Sequence, residues 1–435
     1  AACSLRAPWA RGGRPHETRA WLSPAPRLRP HGNPQDVAEG APAGMKEFAK
    51  SLGKVAKSAG DAAARTLRTK VEEAQDQERP GDLGGLAACA GTSAGELPDS
   101  VTVMVGCWNV FASAISDDDG LDEWLLAGGA CGPPDVLALG FQEVIDLHPA
   151  NCVLKMGGDY EREDLIDAKL TSYLQKHGKY VKARSVGMIG LYLVCFVKES
   201  IAPHVSQVDA DRVKGHGEGM VGKKGAVAVR FEVAGRPMCF VNMHLPSGQQ
   251  RDLERRSSLE QVLWEVFRRT NVLGGRRPPK LGFRRDAPRG LAERPTEAGP
   301  EGGVAGAAFL CGDFNFRLSL AQKDLPVGAP RLDPEAVLAL RAFDPSQQGA
   351  TAEPVLSTFK EGAIDFAPTY KYKVGTDEFD EIRVPAWTDR IFFRGDCVEQ
   401  LHYGSHPALR HTADHRPVSA LFVVAMPPRP DGAAA

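Results

Sequence analysis

The chain has 435 residues, of which 43% are hydrophobic and 25% are charged, and its formal net charge is −2. This composition is typical of a folded chain with one large domain or several smaller ones. A net charge near zero argues against a generally basic nucleic-acid-binding protein, and no apolar run reaches the ~18 residues that predict a membrane span. Nine cysteines without a CxxC pair predict reduced thiols, so we expect a cytoplasmic protein, with peripheral membrane contact left open.

The N-terminal segment differs in composition from the rest of the chain. Residues 1–44 are rich in Arg, Pro, Ala and Gly, contain few acids and lack the apolar core of a secretory signal. We expect a disordered leader, or translated sequence upstream of a true start at Met45. An organelle transit peptide is the alternative, since such peptides are also Arg-rich and acid-poor.

Residues 45–77 predict a basic amphipathic helix, because apolar residues recur at helical spacing with four lysines between them. Such a helix either contacts an anionic membrane surface or packs on the next domain or a partner. The Gly- and Pro-containing stretch 78–99 then reads as a linker.

From residue 100 to residue 425, short apolar runs of strand length alternate with helical stretches. The predicted strands are Val101–Val105, Asp135–Leu139, Leu191–Val197, Ala226–Val233, Met238–Met243, Ala307–Cys311, Arg390–Phe393 and Val418–Val424. One helix is predicted at Leu253–Phe267. Many strands with few long helices predict an α/β sandwich with the sheets inside and the helices outside. The Gly/Pro/Arg-rich stretch 274–306 predicts a mobile loop, and residues 426–435 a disordered tail.

Polar side chains follow several of the predicted strands, which is where open α/β folds build their sites. They are Asn109, Glu143, His244, Asp313, Asn315, Asp389, Asp414 and His415. Hard oxygen ligands with few histidines favour Mg²⁺ over Zn²⁺. A carboxylate-bound Mg²⁺, an activated water and imidazoles on a phosphate are typical of phosphoester hydrolysis. Each of these short motifs also occurs as a turn or a helix cap, so none is specific alone.

Taken in order, however, the motifs are specific. They are Cys107-Trp108-Asn109-Val110, Phe141-Gln142-Glu143-Val144, Gly222-Lys223-Lys224-Gly225, Asn242-Met243-His244-Leu245, Gly312-Asp313-Phe314-Asn315-Phe316-Arg317, Phe359-Lys360-Glu361-Gly362, Pro368-Thr369-Tyr370-Lys371-Tyr372, Pro385-Ala386-Trp387-Thr388-Asp389-Arg390 and Asp414-His415-Arg416-Pro417. With them, residues 100–424 resemble the inositol polyphosphate 5-phosphatases of the endonuclease/exonuclease/phosphatase superfamily. The resemblance implies a deoxyribonuclease-I-like fold, a four-layer sandwich of two mainly antiparallel sheets flanked by helices.

The resemblance also implies a role for each motif residue. Mg²⁺ would be held by Glu143, Asn109 and Asp414. Asp313 would orient or deprotonate the attacking water, Asn315 and His244 would hold the scissile phosphate, and Asp389 would orient His415 on the same phosphate. The neighbouring 4-phosphate would meet Tyr370, Lys371 and Arg383, with Lys224 as a further substrate-binding residue. For Arg317 a structural role is favoured over a direct one.

This chain departs from the family pattern at two places that bear on the substrate. Lys223 stands where the family usually has Asn, which adds positive charge beside Lys224. The segment Glu381–Val384 is about three residues shorter than in many relatives and lacks a Lys found there. One contact to the 4-phosphate is therefore expected to be missing.

The resemblance predicts a Mg²⁺-dependent enzyme that removes the 5-phosphate of phosphoinositides such as the 4,5-bisphosphate or 3,4,5-trisphosphate, and of soluble inositol polyphosphates as a further possibility. Two alternatives stay open at this point. One is a nuclease of the same superfamily, which the near-neutral charge disfavours. The other is a catalytically inactive phosphoinositide-binding module.

Overall fold

The structure is a computed structural model that describes residues 97–115, 120–126, 132–146, 160–215, 224–268, 306–320, 334–344, 354–409 and 412–428, together with positions 86, 89 and 273. All of these residues belong to one compact unit, Lys70–Ala435. The leader 1–44, the basic helix 45–77, Lys223 and the loop 274–305 lie outside the described residues, as do parts of the linker and of the tail.

Twelve strands and four α-helices make up the described part. The strands are β1 (Ser100–Asn109), β2 (Val136–Gln142), β3 (Tyr180–Met188), β4 (Leu191–Lys198), β5 (Val205–Lys214), β6 (Gly225–Val233), β7 (Arg236–His244), β8 (Ala307–Asp313), β9 (Lys360–Glu361), β10 (Asp389–Arg394), β11 (Val398–Ser405) and β12 (Val418–Ala425). The helices are α1 (Leu121–Leu125), α2 (Tyr160–Leu174), α3 (Asp252–Glu265) and α4 (Pro334–Arg341). Short 3₁₀ turns lie at Ala202–His204, Pro354–Leu356 and Pro407–Leu409.

The strands form two six-stranded sheets. Sheet A has the order β11-β12-β1-β2-β4-β3, and sheet B has the order β5-β6-β7-β8-β10-β9. Each sheet is antiparallel except for one central parallel pair, β1 with β2 in sheet A and β7 with β8 in sheet B. A parallel pair brings the carboxyl ends of its two strands to the same edge, so each sheet has one edge where consecutive strand ends meet.

The main core lies between the sheets, because the inward faces of the strands are apolar, with Val the commonest residue and Phe, Ala and Cys next. Phe309 of β8 stacks on Phe240 of β7 with ring centroids 5.3 Å apart, and it contacts Phe422 of β12 at 4.9 Å. The last contact joins sheet B to sheet A. Large rings supply most of the buried area per residue, so these three side chains contribute strongly to the stability of the interface.

The helices cover the outer faces of the sheets. Trp124 of α1 and Leu170 of α2 pack with Phe141 and other outward residues of sheet A. Leu259 and Val262 of α3 pack against the outward residues of sheet B. The order helix, sheet, sheet, helix is the four-layer sandwich that the resemblance implied, so that prediction is confirmed. Within the described residues no helix is long and apolar enough to span a membrane.

The eight predicted strands and the predicted helix are present, and four further strands were not predicted. Those four are β3, β5, β9 and β11, which are the edge strands of the two sheets. The hairpin between β6 and β7 turns at Ala234-Gly235, both with positive φ (47° and 79°), the backbone that a two-residue turn requires.

The stretch 78–99 is not wholly a linker. Cys89 is 6% exposed and belongs to the core between the sheets, and Leu86 and Leu97 pack against that core. These three positions are therefore part of the packed domain.

Candidate active site

The strand ends place the candidate residues at one edge of the sandwich. In sheet A, β1 ends at Asn109 and the parallel strand β2 at Gln142. In sheet B, β7 ends at His244 and the parallel strand β8 at Asp313, and β10 begins at Asp389, which pairs with Asp313. The topology thus collects side chains that are far apart in the sequence.

The segment that carries Asp414 and His415 reaches the same edge. It directly precedes β12, whose first residue Val418 pairs with Cys107 near the end of β1. The indole Nε1 of Trp108 donates a hydrogen bond to the carbonyl oxygen of His415 at 3.4 Å. This bond fixes the segment next to the end of β1.

A buried amide bridge ties the two sheets together beneath this edge. Gln142 Nε2 donates to Asn242 Oδ1 at 2.6 Å, and Asn242 Nδ2 donates to the carbonyl oxygens of Phe141 and Tyr192 at 3.0 Å each. A Cβ atom at Gly140 would lie 2.6 Å from Asn242 Cγ. The glycine therefore allows the close approach that the bridge needs.

Left-handed backbone is concentrated at this edge. Glu143 has φ 51° and Asn315 has φ 54°, values that residues other than Gly rarely adopt. Non-glycine residues in this region cost free energy and cluster at functional sites. Here both residues closely follow the ends of strands, Glu143 after β2 and Asn315 after β8.

Asp389 and His415 form a buried ion pair. His415 Nδ1 lies 2.8 Å from Asp389 Oδ2, and the two residues are 4% and 0% exposed respectively. The hydroxyls of Thr369 and Thr388 donate to the same Asp389 oxygen at 2.7 Å and 2.9 Å. With three partners on one oxygen the carboxylate is fixed, and it in turn fixes the ring of His415.

The charge of Asp389 keeps His415 protonated. Burial alone would lower the pKa of His415, but the charge and hydrogen bond of Asp389, helped by Asp313 and Asp414, raise it to about 9. At neutral pH the ring is therefore an imidazolium whose Nε2 faces the site. A buried cation of this kind is suited to hold a phosphate oxygen.

Asp313 is the centre of a second network. Its Oδ2 lies 3.2 Å from His244 Nε2 and accepts from Asn109 Nδ2 at 3.2 Å, while its Oδ1 accepts from the backbone N–H of Asn315 at 2.9 Å. Burial would raise the pKa of Asp313, but the hydrogen bond from His244 and the charges of His415 and Lys224 hold it well below the usual range. Asp313 is therefore a permanent acceptor at neutral pH.

The surroundings of His244 and Lys224 lower the pKa of each group, whereas those of His415 raise its pKa. Lys224 Nζ contacts His244 Nε2, and Glu143 Oε1 lies 3.7 Å from the same ring nitrogen. Burial, and then the charge of Lys224, lowers the pKa of His244. Burial also lowers the pKa of Lys224, to about 8, against the attraction of Asp313 and Glu143. The two imidazoles thus differ, with His244 neutral and His415 charged.

Arg317 links two of the predicted site residues. Its Nη2 donates to Asn315 Oδ1 at 2.5 Å, and its Cζ lies 4.5 Å from the centroid of the Tyr370 ring. The Tyr370 ring in turn lies 4.6 Å from the ring of His415. Arg317 is 8% exposed, and no carboxylate within the described residues pairs with it. It supports Asn315 and Tyr370 from behind.

The residues expected at the 4-phosphate are only partly brought together. Lys371 Nζ lies 3.4 Å from Asp414 Oδ2, so this lysine points at the site. Arg383 is exposed, and its backbone N–H donates to Asp380 Oδ1 at 2.9 Å. Its side chain has no hydrogen bond or ion pair with a described residue.

A divalent cation fits the donors at this edge. Glu143 supplies a carboxylate whose side chain is 27% exposed, and Asn109 supplies an amide oxygen. Asp414 Oδ1 is buried, has no hydrogen-bond partner among the described residues and could accept a cation. No three His, Cys, Asp or Glu side chains among the described residues form a complete metal cage. Few protein ligands with remaining positions for water and phosphate oxygens are typical of Mg²⁺.

Thr369 and Thr388 were not singled out from the sequence. They lie inside two of the motifs quoted above, next to residues that were. Their hydroxyls matter because of the position of Asp389, which the sequence does not reveal.

Comparison with known proteins agrees with this geometry. The family model described as "Endonuclease/Exonuclease/phosphatase family 2" matches residues 106–421. A polyphosphatidylinositol phosphatase of Saccharomyces cerevisiae is 31% identical over 331 residues, which cover 74% of this chain and 26% of that protein. The type II inositol 1,4,5-trisphosphate 5-phosphatase of Mus musculus is 31% identical over 324 residues, which cover 73% of this chain and 29% of that protein. The chain thus spans between a quarter and a third of the length of these curated relatives.

A solved structure shows the same fold. The inositol polyphosphate 5-phosphatase domain of SPsynaptojanin, in complex with inositol (1,4)-bisphosphate and calcium ion, matches with a TM-score of 0.55 and 27% identity. The match covers 75% of this chain and 84% of that chain. The family model alone covers well over half of the chain. The chain therefore belongs to endonuclease/exonuclease/phosphatase family 2.

Proposed function

We propose that this chain hydrolyses the 5-phosphate of phosphoinositides or soluble inositol polyphosphates with the help of a divalent cation, Mg²⁺ in the cell. The observation that carries the proposal is that two buried carboxylate–imidazole pairs, Asp389 with His415 and Asp313 with His244, meet at the ends of the paired strands β10 and β8. Family membership supports the same reaction, since the curated relatives are named as phosphatases of inositol phosphates or phosphatidylinositol phosphates.

The phosphate would be held by hydrogen-bond donors. Charged His415 offers Nε2, and Lys224 adds a cation behind His244. Preorganised donors in a water-poor site stabilise the charge that develops on the phosphoryl oxygens. Because Asp389 and two threonines fix His415 in advance, little reorganisation is needed when the substrate arrives.

Asp313 would direct the attacking water. Its low pKa makes it a weak proton acceptor but a permanent hydrogen-bond acceptor, so orientation of the water for in-line attack is its better role. His244 and Asn109 hold this carboxylate in place. The products are inorganic phosphate and an inositol with a free 5-hydroxyl.

Glu143 and Asn109 would hold the divalent cation, with the orphaned oxygen of Asp414 adding negative charge. When bound, the cation neutralises charge on the phosphate and polarises it toward attack. The protein groups that bind, orient and exclude water are the ones described above.

Phosphate release tests the proposal. With Mg²⁺, the chain should release phosphate from inositol 1,4,5-trisphosphate or from phosphatidylinositol 4,5-bisphosphate, and excess EDTA should abolish release. Asp313→Asn, which keeps the size of the side chain, should lower kcat at least ~10²-fold. Nicking of plasmid DNA without phosphate release would instead support a nuclease, and binding without any turnover would support an inactive module.

A further inference from the structure

Next to the proposed site, residues 371–380 form a short hairpin whose two arms are joined by the isolated β-bridge between Tyr372 and Phe379. The backbone N–H of Lys373 donates to the carbonyl oxygen of Glu378 at 2.8 Å, and that of Asp380 donates to the carbonyl oxygen of Lys371 at 2.8 Å. Its inner face is apolar, since the rings of Tyr372 and Phe379 lie 4.4 Å apart and both are buried.

Side chains alternate across a strand, so Lys371 and Lys373 share the outer face of this hairpin. Two residues along a strand correspond to about 7 Å. Lys371 is the inner of the two, with Nζ 3.4 Å from Asp414 Oδ2. Lys373 therefore lies on the same face as Lys371 but farther from the bridge between Tyr370 and His415, where a second anionic group could meet it.

Two acidic side chains form ion pairs with Lys373. Its Nζ lies 2.7 Å from Glu381 Oε1 and 3.6 Å from Glu378 Oε2. The hydrogen bond that Lys373 donates to Glu381, followed by the charges of Glu381 and Glu378, raises the pKa of Lys373. Lys373 is charged but paired, and the two carboxylates add negative potential beside it.

The position of Glu381 is itself held by the hairpin. Asp380 Oδ1 accepts hydrogen bonds from the backbone N–H groups of Ile382 and Arg383, at 2.9 Å each. This turn encloses Glu381 and limits the freedom of its backbone. The contact between Glu381 and Lys373 is thus a feature of the folded segment and not only of two flexible side chains.

We propose that Glu381 is a specificity-determining residue that masks Lys373 and disfavours head groups carrying a phosphate beyond the one beside Lys371. This inference rests on the proposed function, because it assumes that an inositol phosphate occupies the site. For a head group with its 5-phosphate at His415 and its 4-phosphate at Lys371, the disfavoured group is a 3-phosphate.

Binding of two soluble head groups tests the inference without turnover or membranes. Inositol 1,4,5-trisphosphate and inositol 1,3,4,5-tetrakisphosphate are titrated by calorimetry into the full chain in EDTA. Glu381→Gln should improve the Kd of the tetrakisphosphate relative to the trisphosphate about two- to fivefold, the factor that an exposed ion pair is worth. The gain should shrink at high ionic strength.

Two further variants make the result specific. In the Lys373→Gln background, Glu381→Gln should give no gain, because the cation that it unmasks is missing. Glu199→Gln is the matched control: Glu199 also pairs with a lysine, at 3.5 Å from Lys179, but follows β4 at the opposite end of sheet A. It should leave the ratio of the two Kd values unchanged.

An unchanged ratio in Glu381→Gln would overturn the inference, and so would an equal gain without Lys373. Phosphate release by the wild type with Mg²⁺ is measured in parallel. Normal release with an unchanged ratio contradicts only the masking by Glu381. The expected ratios without any release contradict only the proposed function. Failure to bind either head group contradicts the masking, and it contradicts the proposed function as well when phosphate release with Mg²⁺ is also absent.

Discussion

Replacing Asp389 by Asn tests the electrostatic basis of the site. The substitution keeps the size of the side chain but removes the charge that faces His415 Nδ1 at 2.8 Å. Both residues are buried, so solvent cannot replace the lost partner. We therefore expect a loss of stability and a loss of activity that share one cause.

The magnitude follows from the pKa of His415, which is raised from an ordinary 6.5 to about 9. A difference of one pKa unit corresponds to about 1.4 kcal/mol, so protonation of His415 in its buried surroundings, to which Asp389 is the largest favourable contribution, adds about 3 kcal/mol to the free energy of unfolding at neutral pH. Because the folded-state pKa is the higher one, this contribution is fully present below pH ~6.5 and is lost as the pH rises through ~9.

Denaturant unfolding between pH 6 and 10 measures both effects. Asp389→Asn should lower the free energy of unfolding by about 3 kcal/mol at pH 7 and should remove most of its decline toward alkaline pH. Asp396→Asn, at an exposed position in the turn after β10, is the control and should change neither. A loss of less than ~1 kcal/mol with the alkaline decline intact would refute the assignment of His415 as a buried cation.

Four other outcomes are expected. His415→Ala should lower kcat at least ~10²-fold, and its combination with Asp389→Asn should be far from additive in single-turnover assays. Glu143→Gln should nearly abolish phosphate release and raise the Mg²⁺ concentration needed; near-normal activity at saturating Mg²⁺ would contradict its role as a metal ligand. Arg383→Ala should lower kcat/KM about 10- to 100-fold on 4,5-phosphorylated substrates and leave 5-phosphorylated ones without a 4-phosphate unaffected; an equal loss on both would assign it to loop support. Deletion of residues 1–77, which spares the packed Leu86 and Cys89, should leave hydrolysis of soluble substrates unchanged and lower activity on anionic vesicles; equal vesicle activity would exclude membrane docking by residues 45–77.

Central strands were predictable from the sequence because they are buried on both faces. β2 and β8 read as continuous apolar runs, and each has all seven residues buried. The edge strands escaped prediction for the opposite reason. In β5 the sequence Val205–Lys214 is largely polar and only Val213 is buried, since one side of the strand is open to solvent. A strand that makes few apolar contacts needs few apolar residues, so its sequence shows no apolar pattern by which it could be predicted.

The candidate site residues could also be selected from the sequence, since ordered motifs point to Asp313, Asn315 and His415. The protonation states of these residues could not be predicted from the sequence. Whether an imidazole is charged depends on which groups surround it in a buried place, and those groups come from other strands. His415 faces Asp389, 26 residues earlier in the chain, whereas His244 faces Lys224. Only the tertiary structure could therefore show that two histidines of one site differ in charge.

The sequence by itself determined the sandwich, its central strands and the set of polar residues at their ends, because burial pattern and local motifs are properties of short segments. The tertiary structure decided which of those residues meet. In the folded chain, Thr369 and Thr388 donate hydrogen bonds to Asp389. Lys371 forms an ion pair with Asp414, and Lys373 forms one with Glu381. Contacts of this kind depend on strand order and on hairpin geometry across the whole chain, so no local pattern encodes them.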